Sequence, residues 1–203
     1  PEDQMAAFNE SDLILAIGTR LGDITTQGYT FPALPKARQT LVHVHPDSDV
    51  IGLNFAADIG IACDAAAFMS TLSRRAGSAS NNPRKQWAAH LRGIRNQLSA
   101  WPASMHTDEM PFTAVIEKLA SVAPKDVVIC LDAGMFGAPV YRHFPFVYPQ
   151  RLMSPLAGAM GYGTPAAVAS QLRLKGQRVV CIVGAGGFLM TGNEMLAAVE
   201  RNL

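Results

Sequence analysis

The chain has 203 residues and a net charge of +1, from 17 Lys and Arg against 16 Asp and Glu. A chain of this length buries a sizeable hydrophobic core, and 49% apolar against 16% charged residues is typical of a globular α/β protein. The balanced charge provides no electrostatic basis for binding nucleic acid or an anionic membrane surface. Partners of these two classes are therefore not expected.

The three cysteines, Cys63, Cys130 and Cys181, lie far apart and include no Cys-x-x-Cys pair. Cys130 and Cys181 fall within apolar strand-like runs, where a thiol behaves as a small hydrophobic group. This pattern predicts reduced cysteines and a cytoplasmic location rather than a disulfide-bonded secreted protein. No stretch approaches the ~20 apolar residues of a membrane span, and no signal-peptide pattern is present, although the start at Pro1 leaves a removed leader open.

The first 75 residues alternate helix-like and strand-like segments, which predicts a thin parallel sheet. The second of the two predicted helices has Asp64 as its N-cap. The predicted helices end at residue 9 and cover 64–72, and the predicted strands cover 12–18, 39–45 and 59–62.

A small, polar stretch follows at 76–83, Ala-Gly-Ser-Ala-Ser-Asn-Asn-Pro, and predicts a domain boundary. Residues 84–98 then place apolar side chains at steps of three and four, which predicts an amphipathic helix. Together they predict a linker over 76–106. The apolar stripe consists of Trp87, Leu91, Ile94 and Leu98.

A second α/β unit is predicted from residue 107 to the end, with ligand-binding loops at the carboxyl ends of its strands. Thr164 is the predicted N-cap of one helix, and Thr191 with Glu194 forms a predicted capping box for the last helix. The predicted helices cover 112–122, 164–174 and 191 onward, and the predicted strands cover 126–132 and 179–183.

The run Gly184-Ala185-Gly186-Gly187 lies between a strand and a helix start, where bare backbone lets N–H groups approach a phosphate. A dinucleotide site would need a third glycine at position 189, which is leucine. A Walker P-loop would need Gly-Lys-Ser/Thr, which the sequence lacks. A diphosphate-binding loop and a purely structural tight turn remain as interpretations.

Several polar residues have competing interpretations. His43 and His45 alternate on a strand and point to one face, but no third metal ligand is near, and hydrogen-bonded polar residues are the commoner case. Asp132 ends a strand and is interpreted as a cap of that strand end. Glu194 is assigned to its capping box rather than to catalysis.

Three segments together resemble thiamine-diphosphate-dependent enzymes of the acetolactate synthase large-subunit type. They are Met160-Gly-Tyr-Gly-Thr-Pro-Ala-Ala-Val168, the run from 179 to 188, and Phe188-Leu-Met-Thr-Gly-Asn-Glu194. The resemblance implies an α/β fold of parallel-sheet, Rossmann-like units. Residues 1–75 would be the C-terminal part of the family's central domain, and 107–203 the N-terminal part of its thiamine-diphosphate-binding domain.

The resemblance also implies cofactor-binding positions. Met160 would be a catalytic wedge under the cofactor that brings its 4′-amino group close to the thiazolium C2, although a core methionine is the alternative. Met135 and Phe136 stand where family members often have Gln and His, so only backbone contacts are carried over. The implied cofactor-binding residues are Gly134, Met135, Phe136, Gly158, Met160, Gly184, Ala185, Gly186, Gly187 and Phe188.

In the resembled family, an aspartate between the first two glycines holds Mg²⁺ together with an asparagine and a backbone carbonyl, and the metal bridges the two phosphates. This chain has Ala185 at the aspartate position, and its last residue, Leu203, precedes the family's asparagine pair. The implied cofactor is thiamine diphosphate with Mg²⁺, but no side chain of this segment is predicted to bind the metal.

The resemblance implies a fragment of a carboligase or decarboxylase, a transferase or lyase, that acts on a 2-oxo acid such as pyruvate and forms a dimer or tetramer in the full-length parent. The family's cofactor-activating glutamate lies in an amino-terminal domain, so the isolated chain is expected to be inactive. The loop Gly18-Thr19-Arg20 matches one that binds FAD or another ADP-containing molecule in some members. The alternative is a non-catalytic relative that serves as a nucleotide-binding or assembly module.

Overall fold

Two parallel three-stranded sheets organise the computed structural model, which describes residues 2–75, 84–102 and 111–203. The chain divides into two compact units, Pro1–Arg95 and Asn96–Leu203. The predicted α/β class with parallel sheets is thereby confirmed. The predicted boundary at 76–83 lies outside the described residues, and the domain bounds 1–75, 76–106 and 107–203 remain a prediction.

The first unit is built on a sheet with the strand order β1-β2-β3. Leu41 and Val44 of the central strand are fully buried, since neighbouring strands flank β2 on both sides. The Asp64 carboxylate accepts hydrogen bonds from the N–H groups of Ala66 (2.9 Å) and Ala67 (3.0 Å), which confirms its predicted capping role. The elements are α1 (Glu2–Asn9), β1 (Leu13–Ile17), β2 (Thr40–His45), β3 (Ile59–Ala62) and α2 (Ala65–Arg75), followed by α3 (Lys85–Ser99), within which the chain divides.

The second unit has the strand order β5-β4-β6, with β4 in the middle. All four residues of β4 are buried, and Ile129 and Leu131 belong to its main hydrophobic core. Cys130 lies near Ser170 of α6, with 3.5 Å between Sγ and Oγ. The elements are α4 (Phe112–Val122), β4 (Val128–Leu131), α5 (Ala138–His143), β5 (Arg151–Met153), α6 (Gly163–Arg173), β6 (Val179–Ile182), α7 (Ala185–Thr191) and α8 (Met195–Glu200).

The short elements α5 and β5 have no counterpart in the sequence predictions. β5 has only three residues, too few for a hydrophobic period, and pairing with β4 in the register Val128↔Arg151 makes it a strand. α5 is a six-residue helix whose His143 ring bonds the Ser99 carbonyl at 3.2 Å. Tertiary contacts, rather than local pattern, define both elements.

Asp132, the first residue after β4, joins three parts of the second unit. Its carboxylate accepts hydrogen bonds from the N–H groups of Gly161 (3.1 Å), Tyr162 (2.8 Å) and Gly163 (3.2 Å). Its own N–H donates to the carbonyl of Ile182 at the end of β6 (2.9 Å). Asp132 is 1% exposed. Its role is therefore wider than the predicted cap of its own strand end.

The start of α6 differs from the prediction. Thr164 is not the N-cap: the helix begins at Gly163, and the N-cap residue Tyr162 makes no side-chain capping bond. The Asp132 carboxylate bonds N–H groups at this end of the helix instead, so Thr164 is not needed there. A cap supplied from a distant strand leaves no local sequence signal.

The glycine run is not the loop that the sequence predicts. Gly184 is the N-cap of α7, and residues 185–187 form its first turn. The predicted capping box is also wrong: Thr191 ends α7, and its hydroxyl donates to the Gly161 carbonyl at 2.9 Å. A 3₁₀ turn at Gly192–Glu194 continues into α8, so no new helix start needs a side-chain cap.

Replacing Asp132 with asparagine tests how much the buried carboxylate stabilises the second unit. The NH₂ group of the new side chain would face backbone N–H groups and could not accept their hydrogen bonds. We therefore expect the free energy of unfolding at pH 7 to fall by about 3 kcal/mol. Urea titration measures this. Asp126→Asn, before the other end of β4, is the control and should change stability by less than about 0.5 kcal/mol.

The same pair of variants tests a pH dependence. Although burial favours the neutral acid, bonds from the N–H groups of Gly161, Gly163, Ala133 and Tyr162 hold the pKa of Asp132 below its ordinary value. A lowered folded-state pKa stabilises the fold above the unfolded pKa of about 3.9, and this stabilisation disappears as the pH falls through the folded-state value. The stability difference between wild type and Asp132→Asn should therefore shrink below about pH 4. A constant difference down to about pH 2.5 would contradict this role.

Two adjacent glycines of α7 provide a matched test of packing. A Cβ on Gly187 would overlap Oδ2 of Asp132, whereas a Cβ on Gly186 would meet only the mobile end of Met160, at 3.0 Å from Cε. We expect Gly187→Ala to lower the free energy of unfolding by about 2 kcal/mol. Gly186→Ala should be neutral or stabilising by up to about 1 kcal/mol, because alanine favours a helix. Equal losses in urea unfolding would argue against this packing.

Candidate functional site

Three chain segments meet at the carboxyl ends of β4 and β6: residues 132–137, residues 158–163 and the start of α7. In open parallel sheets ligands bind at this edge, because the loops after successive strands converge there. Every cofactor-binding residue predicted from the sequence lies in these segments. The structure places them as follows, and their roles toward a cofactor remain predictions.

Phe136 packs against two of the predicted glycines. A Cβ on Gly184 would lie 3.1 Å from Cε1 of Phe136, and a Cβ on Gly134 would overlap the ring. Gly134 also has φ of +152°, a conformation that other residues rarely adopt. These two glycines therefore make room for an aromatic ring from the same unit. The neighbouring Met135 side chain is 88% exposed.

Met160 lies beside the first turn of α7. Its Cε atom approaches the position where Gly186 would carry a Cβ, at 3.0 Å. The residue is 51% exposed, so it does not fill a gap in the core. Gly158, just before it, has φ of +67° and open space around its Cα. The structure thus brings Met160 and the glycine run together although they lie far apart in the sequence.

The first turn of α7 contains the residues predicted to bind a diphosphate. N–H groups at the start of a helix have no carbonyl partner within the helix, and they carry the positive end of its dipole. Gly187 is buried against Asp132, and Phe188, 41% exposed, flanks the turn. Within residues 132–137, 158–163 and 184–188, Asp132 is the one charged side chain. A bound anion would therefore be held here by backbone groups.

The side chains at this edge do not provide the oxygen ligands that a magnesium ion needs. Ala185 has no side-chain oxygen, and the Asp132 carboxylate is turned inward onto three backbone N–H groups. In the described ranges 2–75, 84–102 and 111–203, no group of three or more His, Cys, Asp and Glu side chains could hold a metal. Mg²⁺ requires about six oxygen ligands. The residues at this edge could therefore bind the phosphate oxygens of a ligand, but they do not provide the ligands for a magnesium ion.

His43 and His45 lie in the first unit and belong to no group of three or more His, Cys, Asp and Glu side chains that could hold a metal among the described residues. Nε2 of His43 lies 2.8 Å from the carbonyl of Thr19, so this nitrogen carries the proton and donates. His45 Nδ1 accepts from the N–H of Asp47 at 3.1 Å. One ring nitrogen of each histidine is therefore hydrogen-bonded as predicted, whereas Nδ1 of His43 is buried without a partner among the described residues. Gly18, where β1 ends, has φ of +69° and donates to Val44 at 2.8 Å.

Asp132 is the residue whose importance the sequence interpretation underestimated. A carboxylate directly after an all-apolar strand is expected to accept hydrogen bonds, because burying a charge without a partner is energetically costly. The Gly161-Tyr162-Gly163 segment supplies them. That pairing is the signal that could have linked the two segments before the structure was known.

In the part of the chain that the structure describes, no helix combines the length and apolar character needed to cross a membrane.

Two family models match the chain. The model "Thiamine pyrophosphate enzyme, central domain" matches residues 2–72, and "Thiamine pyrophosphate enzyme, C-terminal TPP binding domain" matches residues 132–203. Together they cover more than two thirds of the chain. The second match begins at Asp132 and contains the three segments of the site.

The chain is also similar to curated acetolactate synthases over 97% of its own length. It is 29% identical to the isozyme 3 large subunit of Escherichia coli K12 and 31% identical to acetolactate synthase of Mycobacterium bovis. It is 28% identical to the large subunit from Corynebacterium glutamicum. It covers 34%, 32% and 32% of these proteins, about a third of the length of each. With both domain models matched in the family's order, the chain belongs to the thiamine-diphosphate-dependent enzyme family of the acetolactate synthase type.

Proposed function

We propose that this chain is part of a thiamine-diphosphate-dependent carboligase or decarboxylase that acts on a 2-oxo acid such as pyruvate, and that the 203 residues alone do not catalyse. One observation carries the proposal. Met160 lies against the first turn of α7 at the strand-end edge, within the region matched by the thiamine-pyrophosphate-binding domain. The relatives are acetolactate synthases about three times as long.

Each residue of the site would have a different role in binding the cofactor. The backbone N–H groups of Ala185 and Gly186 would bind the diphosphate, and the half-exposed Met160 would act as the wedge under the thiamine rings. Asp132 would keep these segments in register without touching the ligand. Bound thiamine diphosphate supplies an electron sink, so the protein's contribution is position.

We propose that the full-length protein is an oligomer, and exposed apolar side chains around the site support this. Met135, Leu156, Leu189 and Met190 are exposed apolar side chains on or near the three segments. Exposed large apolar side chains around a site are what an interface with another subunit would cover.

We propose that the protein lies in the cytoplasm. FAD or another ADP-containing ligand at Gly18-Thr19-Arg20 belongs to the same proposal, supported by the position of this loop after β1.

Introducing a carboxylate at position 185 tests the assignment of the diphosphate loop. In wild type, Mg²⁺ should change thiamine diphosphate binding less than about two-fold, because Ala185 provides no oxygen. In Ala185→Asp, Mg²⁺ should strengthen binding by about ten-fold or more, as expected for an added charged ligand. Isothermal titration calorimetry with and without Mg²⁺ measures both. Ala185→Leu is the control, which changes the size of the side chain without adding an oxygen.

Two outcomes would contradict the proposal. Tight Mg²⁺-dependent binding by wild type would mean that another group holds the metal. No gain of Mg²⁺ dependence in Ala185→Asp would mean that α7 does not start at the diphosphate.

Catalysis provides a separate check. The wild-type chain with thiamine diphosphate, Mg²⁺ and pyruvate should release no CO₂ above a protein-free control, and measurable decarboxylation would contradict the predicted inactivity. The alternative, a nucleotide-binding module, is supported by the position of the Gly18-Thr19-Arg20 loop directly after β1. A rise in melting temperature with ADP but not with thiamine diphosphate would favour it.

A further inference from the structure

Thr191, the last residue of α7, bonds the segment that carries Met160. Its hydroxyl donates a hydrogen bond to the Gly161 carbonyl at 2.9 Å, across 30 positions of the sequence. A Cβ on Gly161 would lie 3.1 Å from Cγ2 of Thr191 and 3.2 Å from Cβ of Met190. The end of α7 therefore packs directly against Gly161, the residue after Met160.

Both peptide groups that follow Met160 are hydrogen-bonded. The N–H of Gly161 donates to Oδ2 of Asp132 at 3.1 Å, and the N–H of Tyr162 donates to Oδ1 at 2.8 Å. The Gly161 carbonyl, which belongs to the same peptide group as the Tyr162 N–H, accepts from Thr191. A peptide group held at its N–H alone can still rotate about that bond. Asp132 and Thr191 together fix it at both of its polar ends.

The chain before Met160 is less constrained. Gly158 has φ of +67° and open space around its Cα, and Leu156 is fully exposed. The position of Met160 is therefore set mainly from the residues that follow it. On the other side, the Met160 Cε atom approaches Gly186 in the first turn of α7. Gly186 and Thr191 lie about 7.5 Å apart along the helix axis, so α7 contacts the Met160 side chain near its start and bonds the adjoining backbone at its end.

We propose that Thr191 is a positioning residue that keeps the Met160 side chain against the first turn of α7. Thr191 itself touches neither cofactor nor substrate. Its importance for cofactor binding rests on the proposed function, in which Met160 is the wedge under the thiamine rings. A side chain that acts through its position has to be held there, because a misplacement of about 1 Å can greatly reduce the rate of an enzymatic reaction.

The first experiment measures the position of Met160 without any ligand. It uses the 203-residue chain with ¹³C-labelled methionine methyl groups, and Met160→Leu identifies the Met160 signal. In wild type, the Met160 methyl group should show a nuclear Overhauser contact with the Cα hydrogens of Gly186. Thr191→Val keeps the shape of the side chain and removes the hydroxyl, so most of this contact should disappear. Thr191→Ser retains the hydroxyl and should retain the contact.

Ser121→Ala is the matched control, because the Ser121 hydroxyl also donates to a backbone carbonyl, that of Lys118 at 2.7 Å, but on α4. It should leave the Met160 contact unchanged. Thr191→Ala, which suits a helix better than valine, replaces Thr191→Val if that variant does not fold. A missing contact in wild type, or an unchanged contact in the variants without the hydroxyl, would overturn the role of Thr191.

The second experiment compares thiamine diphosphate with inorganic pyrophosphate, which lacks the rings. Thr191→Val should weaken thiamine diphosphate binding by about five-fold and leave pyrophosphate binding unchanged, and Thr191→Ser should bind both probes as wild type does. Equal weakening of both probes would indicate a general loss of structure and overturn the positioning role. Equal binding of both probes by wild type would instead contradict the proposed function of Met160, while the methyl contact still decides whether Thr191 positions this side chain.

Discussion

The second unit depends on one buried carboxylate. Asp132 sits where β4 ends, and its two oxygens accept three N–H groups from the segment that leads into α6. An ionised carboxylate is costly to bury, and charge-assisted bonds of this kind are what make the burial tolerable. The same bonds hold the strand end, the Gly161-Tyr162-Gly163 segment and the start of α6 in one arrangement. Gly187 then packs α7 directly against the carboxylate.

The packing around Asp132 and Phe136 explains why glycine stands at several positions of the site. A glycine-rich stretch after a strand is usually attributed to the ligand that approaches it. In this chain a Cβ at residue 134 would overlap Phe136 and a Cβ at residue 187 would overlap Asp132, and a Cβ at residue 184 would lie tightly against Phe136, at 3.1 Å. Phe136 and Asp132 both come from the loop after β4. Gly186 differs, because its neighbour is the flexible end of Met160. The glycines at 134, 184 and 187 therefore serve internal packing, whereas Gly186 does not.

The chemistry of the site follows from what its side chains lack. Ala185 has no oxygen, and Met135 and Phe136 provide no polar contact at the rim. An anion held here would interact with backbone dipoles alone, without a metal and without a basic side chain from the three segments. Membership of the thiamine-diphosphate-dependent family is clear from both domain models, yet the metal chemistry of that family does not fit these residues.

Much of the architecture was predictable because it is local. The hydrophobic runs around Ile14, Val42 and Ile129 became strands, and Asp64 capped its helix as expected, since both signals lie within a few residues. Predictions failed where a distant residue replaced a local one. Asp132, and not the predicted Thr164, bonds the N–H groups at the start of α6. The Thr191 hydroxyl donates to the Gly161 carbonyl and does not cap a new helix. β5 escaped detection because three residues carry no period of their own.

The sequence by itself determined the α/β class, the longer strands of both sheets, the family and the lack of a side-chain oxygen at residue 185, because these depend on residue type and short-range spacing. Tertiary structure decided which groups meet. It placed Met160 on Gly186, Phe136 on Gly184 and Asp132 on the amides of residues 161–163. Hydrogen bonds and contacts between residues tens of positions apart depend on how the chain packs, and no local pattern encodes them.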